Sequence, residues 1–290
     1  MRILTDKEYQ LFEHLTQLNQ EQIHSVLFNY LKKHYADVQN TKSYIYATGE
    51  IPVLLAAHMD TVFPTPTKNV YYDTKKNVLW SPEGLGADDR AGIFGIIQLI
   101  QKGYRPSILF SADEELGAIG ASIFAQKVTQ PPKEIKYIIQ LDRRGKEDCV
   151  FYNCNNKEFK NYVLSFGFKE NYGTFTDISK ICPVWDVAGV NLSIGYENEH
   201  SYNETFHIDN YHLTIERVCK MLDDIKNINQ VFEYEDNFYS SSFTIAPNEE
   251  YLHCECCNNF FNKSDLFRVT DLDESKKYYC INCINSAFRI

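Results

Sequence analysis

The residues of this sequence that could perform chemistry fall into five clusters of histidine and carboxylate. The clusters are His58 with Asp60, Asp88 with Asp89, Glu114 with Glu115, Asp142, and His200. Four of them end apolar segments, and the aspartate pair follows a glycine turn. Any one of these acids could simply cap a helix or end a solvated strand. Five clusters at regular intervals instead indicate one shared metal site.

Two histidines with several carboxylates suit a pair of divalent ions, zinc first, with manganese or cobalt as alternatives because oxygen ligands dominate. Two such ions, roughly 3.5 to 4 Å apart, lower the pKa of a water that they share, which is chemistry for hydrolysis. On an extended chain Glu114 and Glu115 point in different directions, so one can bind metal while the other accepts and delivers a proton. Asp60 lies on the same side as His58 and can receive its second imidazole N–H.

Strands that alternate with helices would bring these clusters together. The intervals from 58 to 88, from 88 to 115 and from 115 to 142 each match about one strand plus one crossover helix. This order predicts an α/β three-layer sandwich, in which helices flank a mixed, mostly parallel sheet. In such sheets ligands bind outside the carboxyl ends of the strands. We therefore expect the five clusters to converge on one edge of the sheet.

The segments around the last two clusters carry further expectations. After Gly145, "CVFYN" and "NYVLSFGF" are predicted as strands, and a polar stretch follows them. The segment "GVNLSIGYENEH" is predicted as an apolar strand that runs into His200. The periodic segment "NYHLTIERVCKMLDDIKNI" is predicted as the last helix of the main domain.

Charge and composition limit the classes of partner. The chain has 290 residues and a formal net charge of −10, which argues against a general electrostatic attraction to nucleic acid. No apolar run approaches the roughly 18 residues of a membrane span, and the N-terminal segment does not resemble a signal peptide. We therefore expect a cytoplasmic protein with no membrane partner. A polar, acidic, serine-rich segment at 236–250 predicts a linker between a catalytic domain at 1–235 and a small module at 251–290.

The C-terminal module has its own metal-binding pattern, two C-x-x-C pairs formed by Cys254, Cys257, Cys280 and Cys283. In a reducing compartment, four thiolates at this spacing indicate a structural zinc in a zinc ribbon or treble clef. Cys256 could replace Cys257, and His253 is a weaker rival. A disulfide-bonded tail is the alternative. The mixed charge of the module does not favour nucleic acid, and its partner is not indicated.

Five motifs resemble, in order, those of the co-catalytic di-zinc exopeptidases, which include bacterial leucyl-type aminopeptidases, tripeptidases and zinc carboxypeptidases. The motifs are "AAHMDTV", "GADDRAG", "SADEELGAIGA", "IQLDRRG" and "NLSIGYENEHS", and the match covers about residues 50 to 215. The intervals from 58 to 88 and from 142 to 200 are too short for the inserted domains of the larger branches. The resemblance therefore implies a compact form with a single catalytic domain.

The resemblance also implies a role for each matched residue. The implied metal ligands are His58, Asp88, Glu115, Asp142 and His200. Asp88 would bridge the two metals, although the sequence alone does not exclude a swap with Asp89. Glu114 would be the general acid/base, and Asp60 would orient His58. Asp177 corresponds to a position near the substrate amine, and a loop aspartate without a role is an equal alternative.

These observations predict a cytoplasmic di-zinc metallopeptidase that cleaves short peptides as an aminopeptidase. The metal centre alone leaves open a deacylase or amidase that acts on N-acyl amino acids or other small amides. A binding protein with a retained metal site is a third hypothesis, and the presence of both Asp60 and Glu114 argues against it. Arg143 and Arg144 follow a predicted ligand and could contact a substrate carboxylate or pair with nearby acids.

Overall fold

The computed structural model describes residues 3–236, 251–254, 260–262, 266–270 and 276–280. The chain divides into two units, Met1–Ser240 and Ser241–Ile290, and the division falls within the predicted linker. Assignment of the second unit as a zinc module stays a prediction.

The first unit alternates helices with strands over most of its length. Its helices are α1 (Asp6–Thr16), α2 (Gln20–His34), α3 (Ala87–Gln101), α4 (Ile119–Lys127), α5 (Lys157–Ser165), α6 (Asp177–Trp185) and α7 (Ile208–Asp224), and a 3₁₀ turn follows at Ile225–Asn227. Its strands are β1 (Val38–Asn40), β2 (Tyr44–Ala47), β3 (Ile51–His58), β4 (Tyr71–Asp73), β5 (Val78–Trp80), β6 (Pro106–Ser111), β7 (Tyr137–Arg143), β8 (Asp148–Val150), β9 (Lys169–Glu170), β10 (Gly189–Ser193), β11 (Tyr196–Glu197) and β12 (Thr205–His207).

Eight of these strands form one mixed sheet in the order β1-β2-β6-β3-β7-β10-β8-β9. Its centre is parallel, because β3 pairs in parallel with β6 and β7, and β10 pairs in parallel with β7. The β1–β2, β2–β6 and β8–β10 pairs are antiparallel. The predicted mixed, mostly parallel sheet is therefore confirmed.

Helices cover both faces of this sheet, and alternate residues of β3 show how. Val53, Leu55 and Ala57 are buried in the larger core, with residues of α1, α2, α3, α5 and α7. Leu54 and Ala56 are buried in the smaller core on the opposite face, with residues of α4 and α6. Both faces of a central parallel strand are apolar because neither meets water. The result is the predicted three-layer α/β arrangement.

Four further strands form a second sheet in the order β11-β12-β5-β4. Its strands β11 and β12 pair antiparallel, with Tyr196 opposite Phe206 and Glu197 opposite Thr205. His200 lies in the loop that joins these strands. The apolar strand β10 ends at Ser193, so the expectation that it runs directly into His200 was wrong.

Residues 161–165 of the segment "NYVLSFGF", which was predicted as a strand, belong to helix α5 instead. Asn156 caps this helix, because its side chain accepts a hydrogen bond from the backbone N–H of Phe159 at 2.8 Å. Phe159 and Val163, four residues apart, are both buried on one helical face. This tertiary burial outweighs the local preference of valine, tyrosine and phenylalanine for strands. Helix α7, by contrast, confirms the predicted last helix.

The second unit contains two antiparallel strand pairs among its described residues. Strand β13 (Tyr251–His253) pairs with β14 (Phe260–Asn262), and β15 (Leu266–Thr270) pairs with β16 (Lys276–Cys280). Cys254 and Cys280 are buried, and the backbone N–H of Cys280 donates a hydrogen bond to Cys254 Sγ at 3.3 Å. The other predicted zinc ligands, Cys257 and Cys283, lie outside the described residues, as does Cys256.

Within the described part of the chain, no helix is both long enough and apolar enough to cross a membrane.

Candidate metal centre

His58 is the last residue of β3, at the carboxyl end of a strand in the middle of the sheet. Its side chain is buried, and its Nε2 lies 3.2 Å from Asp88 Oδ1 and 3.5 Å from Asp142 Oδ1. Asp142 belongs to the neighbouring strand β7, so parallel pairing brings these two side chains to the same edge. The three residues form a group whose ligand atoms could hold one metal ion.

His200 and Glu115 form a second group with the other side of Asp88. His200 Nε2 lies 3.0 Å from Glu115 Oε1 and 3.2 Å from Asp88 Oδ2. The Asp88 carboxylate thus stands between the two histidines, with one oxygen toward each. The two groups share Asp88, and each offers one imidazole nitrogen and two carboxylates. Such a donor set fits zinc and related divalent ions, and three protein ligands leave a position open for water or substrate.

Asp89 belongs to neither ligand group and instead holds the backbone around His58. It is fully buried; its Oδ2 accepts a hydrogen bond from the His58 N–H at 3.2 Å, and its Oδ1 accepts one from the Gly92 N–H at 2.9 Å. Burial, reinforced by the nearby negative charge of Asp142, raises the pKa of Asp89. Asp88, and not Asp89, is therefore the residue that the two ligand groups share.

Asp60 connects the ends of β3 and β6. Its two carboxylate oxygens accept hydrogen bonds from the backbone N–H groups of Glu114 and Glu115, at 3.0 and 2.9 Å. Its Oδ1 lies 3.3 Å from His58 Nδ1, close enough for an ion pair although the two groups are not aligned for a hydrogen bond. Burial opposes ionisation, but His58 and the two N–H donors prevail and lower the pKa of Asp60 to about 2.

Glu114 is 8% exposed and lines the same cavity as the two ligand groups. Burial raises its pKa to about 9; the charge of His58 opposes the rise, and the negative charges of Asp142 and Asp177 add to it. Among the described residues, no hydrogen bond to its carboxylate is found, and its backbone N–H donates to Asp60. Glu114 is thus a carboxylate beside the ligand groups that is not engaged by either of them.

Asp142 is held by several polar side chains that the motifs did not reveal. Its Oδ2 accepts hydrogen bonds from Thr176 Oγ1 at 2.8 Å and Gln140 Nε2 at 3.0 Å, and its Oδ1 accepts one from the Tyr196 hydroxyl at 3.1 Å. The Asn191 amide oxygen accepts the Asp142 N–H at 2.9 Å. These partners fix the orientation of the carboxylate, because each oxygen has a defined donor.

Glu204 is the most informative residue that sequence reasoning missed. It is 1% exposed, and its two oxygens accept hydrogen bonds from the backbone N–H groups of Gly86 at 2.6 Å and Asp88 at 2.9 Å. Burial raises its pKa to about 8, although these N–H donors oppose the rise. The only available signal was its position four residues after His200 in a polar loop.

Asp177, predicted near the substrate amine, is the first residue of α6 and is fully buried. Its Oδ2 accepts a hydrogen bond from the Ser111 hydroxyl, and its Oδ1 has no partner among the described residues. Burial raises its pKa to about 7, against the opposing charge of His58. Asp177 does not line the cavity, and its contact with a substrate stays a prediction.

A cavity of about 200 Å³ opens onto both ligand groups. Its walls include the predicted site residues Asp88, Glu114, Glu115, Asp142 and His200. Arg143, Arg144 and residues 173–175 also line it. A second cavity of about 460 Å³ adjoins it and shares Arg144, Glu199 and His200. The candidate centre therefore has room for a small substrate.

No family model and no curated protein matches this chain. Several solved structures, however, match this chain in fold. Aminopeptidase PepT from Bacillus cereus aligns with a TM-score of 0.63 and 14% identity over 77% of this chain and 99% of that one. A tripeptidase from Staphylococcus aureus aligns with a TM-score of 0.62 and 14% identity over 78% of this chain and 100% of that one. A TET aminopeptidase from the archaeon Thaumarchaeota archaeon SCGC AB-539-E09 aligns with a TM-score of 0.60 and 13% identity over 77% of this chain and 99% of that one. This chain therefore has the fold of these peptidases.

Proposed function

We propose that this protein is a metal-dependent exopeptidase that releases the N-terminal residue of short peptides. The observation that carries the proposal is the position of Asp88, whose two oxygens face His58 and His200 and so join two three-ligand groups. The fold that this chain shares with two aminopeptidases and a tripeptidase supports the proposed peptidase activity.

Two divalent ions fit the donor set. His58, Asp88 and Asp142 would hold one of them, and Asp88, Glu115 and His200 the other. We propose zinc, with manganese or cobalt as alternatives, because each group mixes imidazole nitrogen with carboxylate oxygen. When bound, such a pair polarises a carbonyl and lowers the pKa of water.

Glu114 is the proton carrier in this proposal. Its carboxylate lines the cavity without a donor of its own, so it can accept a proton from the attacking water and deliver it to the leaving amine. Positive charge in the ligand groups would lower its raised pKa toward the range in which a general base works. Asp60 keeps the His58 ring oriented and, through its two backbone hydrogen bonds, fixes the turn that carries Glu114 and Glu115.

The second unit would hold a structural zinc. The two described cysteines, Cys254 and Cys280, are buried and linked by an N–H···S hydrogen bond, as expected of a site that stabilises thiolates. Cys257 and Cys283 would complete the ligand set. We propose a reducing, cytoplasmic setting, which would keep the six described cysteines as free thiols.

The test compares Glu114→Gln with the wild-type chain in metal content and in hydrolysis of short peptides. We expect three metal ions per chain in both proteins, since Glu114 is not a ligand. Turnover should fall about 10²- to 10⁴-fold in the variant, because the proton carrier is lost. Glu197→Gln, a matched change outside the ligand groups, should retain turnover.

Glu115→Gln removes a proposed metal ligand, so it should lower the metal content by one ion per chain. Normal turnover by Glu114→Gln would refute the assignment of the proton carrier. A wild-type chain that holds metal in its second unit alone would refute the two-metal centre. Free-amine and N-acylated substrates, measured side by side, separate an aminopeptidase from a deacylase.

A further inference from the structure

Arg143 occupies an unusual place beside the candidate centre. It is the last residue of β7, directly after Asp142, and its side chain lines the acidic cavity. The side chain is 19% exposed, so most of it has been removed from water. A guanidinium remains charged in proteins, and a buried one therefore needs hydrogen-bond acceptors.

The hydrogen-bond acceptors around Arg143 do not pair with all of its N–H donors. Its Nη2 donates to the Tyr172 carbonyl at 3.2 Å, and the nearest carboxylate oxygen, Asp148 Oδ2, lies 4.0 Å away. Its Nε is buried and has no hydrogen-bond partner among the described residues. A neutral carbonyl and a distant carboxylate leave the planar fork of this side chain without a bidentate partner.

Two other arginines of the chain show what satisfied guanidiniums look like here. The buried Arg90 donates to three backbone carbonyls, those of Leu15, Met59 and Leu18. Arg144, which also lines the cavity, is paired with Glu199, with 2.6 Å between Nη1 and Oε1. Arg143 differs from Arg90 because it lines the cavity, and from Arg144 because no carboxylate lies within hydrogen-bond distance of it among the described residues.

Bound metal would also change the net charge of the cavity from negative to positive, which favours an anionic group. Five carboxylates and two guanidiniums line it: Asp88, Glu114, Glu115, Asp142, Glu199, Arg143 and Arg144. Two divalent cations would turn the resulting negative balance into an excess of one positive charge. An anionic group of the substrate can then enter, and the Arg143 guanidinium, which has no carboxylate within hydrogen-bond distance among the described residues, can bind it.

We propose that Arg143 binds the free carboxylate of the substrate and restricts this site to very short substrates. The proposal rests on the proposed function, since it concerns the leaving-group side of the same cavity. Arg143 directly follows the candidate ligand Asp142 at the end of β7, so it would hold a carboxylate close to the scissile bond. The substrate class is therefore dipeptides, and equally N-acyl amino acids, in which a carboxylate lies one residue beyond the scissile carbonyl.

The experiment compares a library of dipeptides with the same library carrying amidated C-termini. Wild-type chain should prefer the free acids, and Arg143→Ala should reduce the ratio of the two kcat/KM values about 10- to 100-fold, the range for a lost hydrogen bond to a charged group. Arg143→Lys, which keeps the charge without the fork, should fall between the two. Arg144→Lys is the matched control and should retain the wild-type preference.

A binding measurement makes the test independent of turnover. In the metal-loaded Glu114→Gln background, the free-acid dipeptides should bind more tightly than their amides, and Arg143→Ala should abolish the difference. The assignment of Arg143 would be overturned if Arg143→Ala weakened the binding of acids and amides equally. It would also be overturned if only Arg144→Lys lost the preference for free acids. A wild-type chain that hydrolyses neither library contradicts the proposed function, whereas the binding difference still decides the role of Arg143.

Discussion

Glu204 couples two parts of the candidate centre that are far apart in sequence. It lies on the loop that carries His200, and its carboxylate holds the backbone N–H groups of Gly86 and Asp88. The same loop therefore supplies one candidate ligand and positions another. Partners of this kind commonly change metal affinity about 10- to 100-fold when they are removed.

We expect Glu204→Gln to weaken metal binding at the two ligand groups that share Asp88 by about tenfold or more. The glutamine amide can present only one acceptor oxygen, so one of the two backbone donors loses its partner. Competition with a chelator measures the affinity. Glu199→Gln changes the same type of residue on the same loop and should leave the affinity close to wild type. Equal affinities in all three proteins would show that Glu204 does not position Asp88.

Helix α3 must approach strand β7 closely for its first turn to deliver Asp88. Asp88 and Asp89 have non-helical backbone angles at the start of α3, and the regular helical turns follow them. A Cβ atom on Gly92 would overlap the Leu141 carbonyl oxygen and Asp89 Oδ1. Glycine at this position therefore allows the backbone of α3 to pack against the strand that carries Asp142.

We expect Gly92→Ala to destabilise the chain by about 1 to 3 kcal/mol, the usual cost of overpacking a rigid contact. Gly95→Ala, three residues along the same helix, is the matched control. Its added Cβ would meet only side-chain ends, the nearest being Ile215 Cδ1 at 2.9 Å, and alanine has the better helix propensity. Urea unfolding followed by tryptophan fluorescence measures both. A stability loss in Gly95→Ala as large as that in Gly92→Ala would contradict this explanation.

The elements differ in how far their own sequence determines them. Strand β3 and helices α3 and α7 were predictable, because a long apolar run or a sustained helical period leaves few alternatives. Helix α5 was not, because its tyrosine, valine and phenylalanine residues also suit a strand. Helix α6 lies in a stretch that was expected to be simply polar, and it contains Pro183. Burial of Ile178 and Ile181 against the sheet favours a helix in that segment.

For the whole molecule, the concentration of buried acid at one edge of the sheet is the main energetic problem. Six acidic residues near the ligand groups are buried: Asp60, Asp88, Asp89, Glu114, Asp177 and Glu204. Like charges so close together destabilise the folded chain unless cations or protons balance them. Bound metal would supply that balance and should stabilise the first unit.

We expect the melting temperature of the first unit to rise by about 5 to 10 °C when metal-free protein is loaded with zinc at about 100 times its dissociation constant. The chain has two tryptophans, Trp80 and Trp185, and both lie in this unit, so their fluorescence reports on it alone. His200→Ala, which removes one candidate ligand, should show a smaller rise. A melting temperature that does not respond to zinc in the wild-type chain would contradict metal binding at this edge.

The sequence by itself determined the fold class and the order of the chemically capable residues. Apolar segments of strand length that alternate with helical periods can be satisfied only by a layered α/β sheet, and the carboxyl ends of its parallel strands share one edge. The sequence alone therefore places His58 and Asp142 at the same edge of the sheet. The intervals between motifs sufficed because a strand and its crossover helix have nearly constant length.

Only the tertiary structure decided which atoms meet. Asp88 and Asp89 are neighbours of identical type, and the backbone angles at the start of α3 direct one toward the histidines and the other toward the Gly92 N–H. Glu204 and Arg143 likewise have no periodic pattern, because their roles depend on donors and acceptors contributed by distant segments. Side-chain direction and hydrogen-bond partners are long-range properties, and spacing along the chain does not encode them.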